Sequence, residues 1–297
     1  MLTGIGHLQM HVRDLAACRA LYGEQLGLTE IARGEGPDGD QLSMFCIGDS
    51  ILELHEDAHA VAEMQPSGEK KPRLDVPGSI EHFAFYADDN NEVYALLQET
   101  MGDKPHFTTR SGPEVQTLGH AYIQRSLLQF DDPDGYIIQI AELVDPRAEV
   151  RARIAEKTAA AADAADLLRG IDHIQINCAN LDSARNLLGD ILGLEEVSYR
   201  NETVPAIEGF EESTFAIGLT ELEVSRSTLT AGRKLGPGAV TSLGFWTNDL
   251  EETRKLLLKK GLAVSEPLLL SPLADIRRTA IEIEGLDGLR MEVAQRL

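Results

Sequence analysis

The stretch Gly4-Ile5-Gly6-His7-Leu8-Gln9-Met10-His11-Val12-Arg13-Asp14-Leu15 decides the fold, because it returns later as Gly170-Ile171-Asp172-His173-Ile174-Gln175-Ile176-Asn177-Cys178. Each copy is an apolar alternating run with a histidine near its start, followed by an Asn/Asp-Leu turn. A helical stretch then ends at Gly27-Leu28 in one copy and Gly193-Leu194 in the other. His7 to His173 is an offset of 166, and Gly27 to Gly193 is the same offset, so the copies align without a gap. Identities at Gly4, Ile5, His7, Gln9, Leu15, Arg19, Leu21, Gly23, Gly27 and Leu28 go beyond what shared alternation produces. Self-similarity at a fixed offset marks a duplicated unit.

Outward from the first copy, residues 5–12 alternate as a strand does, and Asp14 is placed to cap a helix running to about Gln25. Glu30–Arg33 begins a second strand. Leu42–Ile47, the turn Gly48-Asp49 and Ser50–His55 read as a hairpin, giving the order β-α-β-β-β. Residues 57–78, rich in proline and glycine, form a connection long enough to lie over a cavity. The same order follows with Ile80–Tyr86, a helix from Asp89 to Met101, strands at His106–Thr109 and Ala121–Phe130, the turn Asp132-Pro133-Asp134-Gly135, and Tyr136–Leu143. Residues 147–168 are Ala-rich and charged, which favours helix.

The second half repeats the plan with Ile171–Asn177, a helix Asn180–Leu192 and a hairpin Phe215–Val224. Val240–Thr247, a helix Asp249–Lys260, and strands Ile276–Glu284 and Leu289–Ala294 follow. Its last hairpin aligns with that of the first half at Arg125/Arg278 and Gly135/Gly288, both 153 apart. Four such modules account for nearly all of the chain, and the expected division is a domain at 1–145, a helical linker at 146–169 and a second domain at 170–297.

Lys and Arg total 27 against 49 Asp and Glu, a net charge of −22, which repels phosphate backbones and anionic lipid heads. The expected partner is a small-molecule substrate, with neither nucleic acid nor membrane, and with room for a homodimer. Cys18, Cys46 and Cys178 are too few and too scattered for a disulfide framework or a Cys-based zinc site. With no basic leader and no long apolar run, the expected location is cytoplasmic.

Side chains two apart on a strand share a face, so His7, Gln9 and His11 fall together, as do Glu53 and His55, and His82, Ala84 and Tyr86; Gln139 lies with Ile137 and Ala141. His7, Glu53, His82 and Gln139 then stand one to each first and last strand of the first two modules. A lone buried histidine is more often a satisfied core residue. Two histidines, a glutamate and a glutamine at equivalent places of a duplicated unit suit a divalent ion instead: Fe²⁺, Zn²⁺, Mn²⁺, Ni²⁺ or Co²⁺.

The G-I-x-H start with its D-L and G-L, the ending Asp132-Pro133-Asp134-Gly135-Tyr136-x-Ile138-x-Ile140, and Ile51-Leu52-Glu53-Leu54 after Gly48-Asp49 resemble the vicinal oxygen chelate superfamily. That superfamily includes glyoxalase I, methylmalonyl-CoA epimerase, extradiol dioxygenases and bleomycin-resistance proteins. The resemblance covers all four modules. It implies an α+β fold, four β-α-β-β-β modules paired into two glyoxalase-like domains with curved mixed sheets, and metal ligands at His7, Glu53, His82 and Gln139. Gln139 departs from the family's more usual glutamate. The second half carries His173, Glu223, Ser242 and Glu292 at the corresponding places. A serine hydroxyl is a poor ligand for such metals, so that half is expected to be degenerate. Fused glyoxalases pair modules across halves, which would set His173 and Glu223 with His82 and Gln139 instead.

The activity this implies is a metal-dependent isomerase or lyase working by enolisation, with Glu53 as the base if it can leave the metal, and His120 and Tyr122 as a supporting acid or substrate contacts. One alternative is an Fe(II) extradiol dioxygenase acting on a catechol, with His7, His82 and Glu53 as a facial triad. The other is a metal-free binding or resistance protein, against which stand the polar inward residues and the single tryptophan, Trp246.

Overall fold

The computed structural model describes residues 2–36, 39–57, 78–101, 114–117, 124–145, 168–201, 210–218, 220–226, 240–273 and 276–296, with short pieces between 147 and 156. The first module holds β1 (Leu2–Val12), β2 (Thr29–Glu35), β3 (Gln41–Ile47) and β4 (Ser50–Glu56). The second holds β5 (Ile80–Ala87), β6 (Glu114–Thr117), β7 (Gln124–Asp131) and β8 (Ile137–Leu143). The third holds β9 (Leu168–Asn177), β10 (Glu195–Asn201), β11 (Glu211–Ile217) and β12 (Thr220–Arg226). The fourth holds β13 (Val240–Thr247), β14 (Leu268–Leu273), β15 (Ile276–Ile283) and β16 (Arg290–Arg296). The strand expected at His106–Thr109 and nearly all of the expected linker helix lie outside the described residues. Among the described residues no helix is long and apolar enough to cross a membrane.

The α+β fold with four repeated modules is as expected. In each module the first strand pairs in parallel with the last, so β1 lies beside β4 and β9 beside β12. The modules then join through their first strands, antiparallel, into two eight-stranded sheets. One sheet runs β14-β15-β16-β13-β1-β4-β3-β2 (sheet A) and the other β10-β11-β12-β9-β5-β8-β7-β6 (sheet B). The joining therefore crosses the halves. Sheet B is built from residues 80–226 and sheet A from the two ends of the chain, rather than from 1–145 and 170–297. One reason is local fit. His7 sits opposite Gly244 in the β1–β13 register, and a Cβ at Gly244 would lie 2.0 Å from the His7 ring. β1 therefore fits against a strand that carries no side chain at that point.

The helices end and begin where the sequence places their signals. Asp14 accepts from the Ala17 amide and Asn180 from the Ser183 amide, each satisfying a free N–H of the first turn. Gly27 and Gly193 both stop their helices at φ +75°, a conformation glycine adopts without steric cost. Both helices widen into a π-helical turn, over Ala20–Gln25 and Asn186–Ile191, where the sequence pattern predicts plain helix.

A continuous apolar core runs through all four modules, with Leu8, Met10, Phe45, Phe83, Phe85, Ile174, Leu243 and Val293 among its buried members. Polar contacts across it repeat with the duplication. The Arg13 amide donates to Asp134 at 2.9 Å, and the equivalent Ala179 amide donates to Asp287 at 2.6 Å. The Tyr22 hydroxyl, fully buried, reaches Asp132 at 3.2 Å, and burial pushes that carboxyl up to about 7.

The β3–β4 and β11–β12 turns meet the opposite sheet in the same symmetrical way. A Cβ on Gly48 would stand 2.6 Å from the Arg169 carbonyl oxygen, and one on Gly218 would stand 2.7 Å from that of Thr3. Both glycines have positive φ, near +55°. Gly218→Ala adds the left-handed strain of an L residue to a backbone clash between sheets. It is expected to cost about 1–3 kcal/mol, read as a lower thermal unfolding midpoint; an unchanged midpoint would contradict the close approach.

Candidate metal centre

Alternation along β5, β8, β9 and β12 turns His82, Gln139, His173 and Glu223 to one face of sheet B. All four are buried, between 1 and 7 % exposed. One ligand atom from each of His82, His173 and Glu223 lies within 4.8 Å of the other two. The Nε2 atoms of the two histidines are 3.2 Å apart, and Gln139 Oε1 is 3.1 Å from His173 Nε2. Two donors each about 2.0–2.1 Å from a shared ion stand roughly 2.8–3.4 Å apart, for inter-ligand angles between octahedral and tetrahedral. The donor set therefore fits a divalent ion in chemistry, and the His82–His173 and Gln139–His173 pairs fit it in spacing.

His173 is prepared for that role from behind. Its Nδ1 lies 2.9 Å from Asp172 Oδ2, so the ring proton belongs on Nδ1 and the Nε2 lone pair faces the group. Asp172 in turn accepts from Arg125 Nε at 2.8 Å, and Arg125 Nη2 bonds Glu221 at 2.5 Å. Arg125, Asp172 and Glu221 are each 1 % exposed. Sequence reasoning missed this support. The available signal was Asp172 itself, a carboxylate directly before His173 where the first copy has Gly6.

In sheet A the equivalent positions hold His7, Glu53, Ser242 and Glu292, and they are arranged differently. Glu53 is bonded by Arg278 Nη1 at 2.5 Å and has His55 Nε2 at 3.8 Å. Burial alone would raise the Glu53 carboxyl, but the neighbouring His7 and His55 rings and the Arg278 guanidinium hold it well below the usual range. His7 Nε2 stands 3.5 Å from Glu292 Oε2. Burial lowers the His7 imidazole to about 4, and burial also raises the Glu292 carboxyl. The Ser242 hydroxyl is buried with no hydrogen-bond partner among the described residues.

The four expected ligands are thus not brought together. His82 and Gln139 share a site in sheet B, while His7 and Glu53 lie in sheet A, because the modules join across the halves. Glu53 is not placed to serve that site as its base. His173 and Glu223, from the half expected to be degenerate, lie with them. His120 and Tyr122 lie outside the described residues.

Residues 4–140 match the family model of the Glyoxalase/Bleomycin resistance protein/Dioxygenase superfamily, a stretch that includes both Gly4–His7 and the Asp132–Ile140 ending. No curated protein matches the sequence. Among solved structures, a glyoxalase I mutant from Zea mays is 16 % identical, with 99 % of this chain and 94 % of that one covered at a TM-score of 0.66. A Bacillus subtilis structure described as that of a candidate dioxygenase is 15 % identical, with 99 % and 86 % covered at 0.67. At such identities these structures establish a shared fold over the whole chain.

Proposed function

We propose that this chain is a divalent-metal-dependent enzyme of the glyoxalase type that isomerises or cleaves a small oxygenated substrate by enolisation, at a site formed by His82, Gln139, His173 and Glu223. The convergence of these four buried donors carries the reading. A divalent ion held there would supply Lewis acidity to the substrate's oxygens and so acidify the neighbouring C–H. Glu223 is the one carboxylate in the set, which makes it the base: the oxygen it does not give to the ion would take the proton from that carbon and return it to the adjacent one. Asp172 fixes the His173 ring and its tautomer. Gln139 is neutral where the family more often has glutamate. Two histidines, an amide and one carboxylate leave a divalent ion with net positive charge to set against the negative charge developing on the substrate oxygen.

A second reading has an observation of its own. His82, His173 and Glu223 are two histidines and a carboxylate, the composition of the Fe(II) facial triad, which favours a ring-cleaving dioxygenase.

Metal analysis of the purified chain tests the proposal, followed by reloading with Zn²⁺, Ni²⁺, Co²⁺, Mn²⁺ or Fe²⁺. Enolisation predicts one ion per chain and uptake of solvent deuterium beside the carbonyl of α-hydroxy or α-thio carbonyl compounds, without oxygen consumption. Oxygen uptake on catechols by the Fe²⁺ form alone would favour the second reading, and a chain that holds no metal would sink both.

A further inference from the structure

The duplicated hairpins place an arginine at the same point of each sheet, Arg125 on β7 and Arg278 on β15, 153 residues apart. In sheet B the guanidinium is held by two carboxylates, Asp172 and Glu221. Their counterparts in sheet A are Gly6, by the 166 offset of the first strands, and Ile51, two residues before Glu53 as Glu221 is two before Glu223. Neither can pair with a cation. A buried guanidinium without a carboxylate is costly, so it takes the nearest one available. In sheet A that is Glu53, the counterpart of the Glu223 donor, and Arg278 Nη1 bonds it at 2.5 Å. Arg278 Nε is left buried without a hydrogen-bond partner among the described residues. The corresponding Nε of Arg125 is the atom that donates to Asp172. The orphaned nitrogen thus marks where the missing carboxylate would be.

We infer that Asp172 and Glu221 are the positioning residues that make sheet B competent for a metal ion, by holding Arg125 away from Glu223, and that in sheet A the absence of both lets Arg278 occupy the ion's place as a built-in cation. This rests on the reading of His82, Gln139, His173 and Glu223 as the ion-holding set. The same arginine therefore supports one site and closes the other. The difference lies in two positions outside the donor set, in addition to Ser242 and Glu292 within it.

The test has two arms, each read as Co²⁺ or Zn²⁺ stoichiometry and affinity, by metal analysis and competition with a chromophoric chelator. In the gain arm, Ser242→His alone is expected to leave the chain at one ion, whereas Ser242→His with Arg278→Met brings it to two. In the loss arm, Asp172→Asn with Glu221→Gln is expected to weaken binding at least about tenfold. Adding Arg125→Met to that pair is expected to raise the affinity again, short of wild type because His173 has lost its Asp172 anchor, a recovery that a merely structural role would not produce. A second ion with Ser242→His alone, or a folded Ser242→His/Arg278→Met chain that stays at one, overturns the inference. So does a loss that Arg125→Met leaves unrecovered, and this arm decides the matter should the first variant pair not fold. A wild type that binds no ion removes the underlying reading itself; a wild type with one ion and unresponsive arms overturns the inference alone.

Discussion

His173→Ala is expected to strip the chain of its metal, while His7→Ala leaves the metal content unchanged. The two histidines stand at the same position of the repeated strand, so the contrast separates the site from its copy. His173 presents Nε2 to His82 and Gln139, with Nδ1 anchored on Asp172. His7 lies in the other sheet, 3.5 Å from Glu292, against a Glu53 already bonded to Arg278. Loss of residues that merely orient a ligand costs about 10–100-fold in affinity, so loss of the ligand itself is expected to exceed about 100-fold. Thermal unfolding with and without added ion gives a second reading. At a free ion concentration of about 100 times Kd, the wild type gains roughly 2.7 kcal/mol, and His173→Ala should gain almost none. A metal-dependent shift lost in His7→Ala but kept in His173→Ala would reverse the assignment.

The largest stability effect is expected at Arg125→Leu. Leucine fills part of the space but leaves Asp172 and Glu221, each 1 % exposed, without the guanidinium that joins them. Removing one partner of a buried ion pair costs about 3–5 kcal/mol, a large share of the roughly 5–15 kcal/mol that keeps a typical protein folded. The surface pair Arg185–Glu196, bidentate at 2.7 and 2.8 Å, makes a control. Its removal should cost no more than about 1 kcal/mol, because water solvates the partner left behind. Urea unfolding of the two variants measures both numbers. Equal effects would mean that the Arg125 network carries no more than a surface contact does.

The parts of the fold that depend on local pattern could be read directly. The repeated Gly-Ile-x-His strand, the capping Asp14 and Asn180, and the closing Gly27 and Gly193 each have a cause within a few residues, and each stands where expected. Alternation also put His82, Gln139, His173 and Glu223 on inward faces. Local pattern could not choose the partner of each module, because every first strand offers the same open backbone edge. That choice depends on fits between distant residues, such as the His7 ring over Gly244 and Gly218 against Thr3. The edge strands β10 and β14 escaped notice for a related reason. Neither alternates cleanly, and β14 carries Pro272, which an edge tolerates because one side of its backbone is unpaired. The Arg125–Asp172 support was hidden because its members are far apart in sequence, and charged residues within strands ordinarily read as solvent-facing.

The crossed joining of the modules sets an order of assembly. Sheet B is complete in sequence by Arg226, while β1 cannot meet β13 until the chain has been synthesised past Thr247. At about 5–20 residues per second, the first module spends many seconds on the ribosome with one edge of its leading strand unpaired. Such an edge invites pairing with other chains. A nascent chain arrested after β12 should therefore already carry a protease-resistant middle segment while its amino-terminal module is still cut.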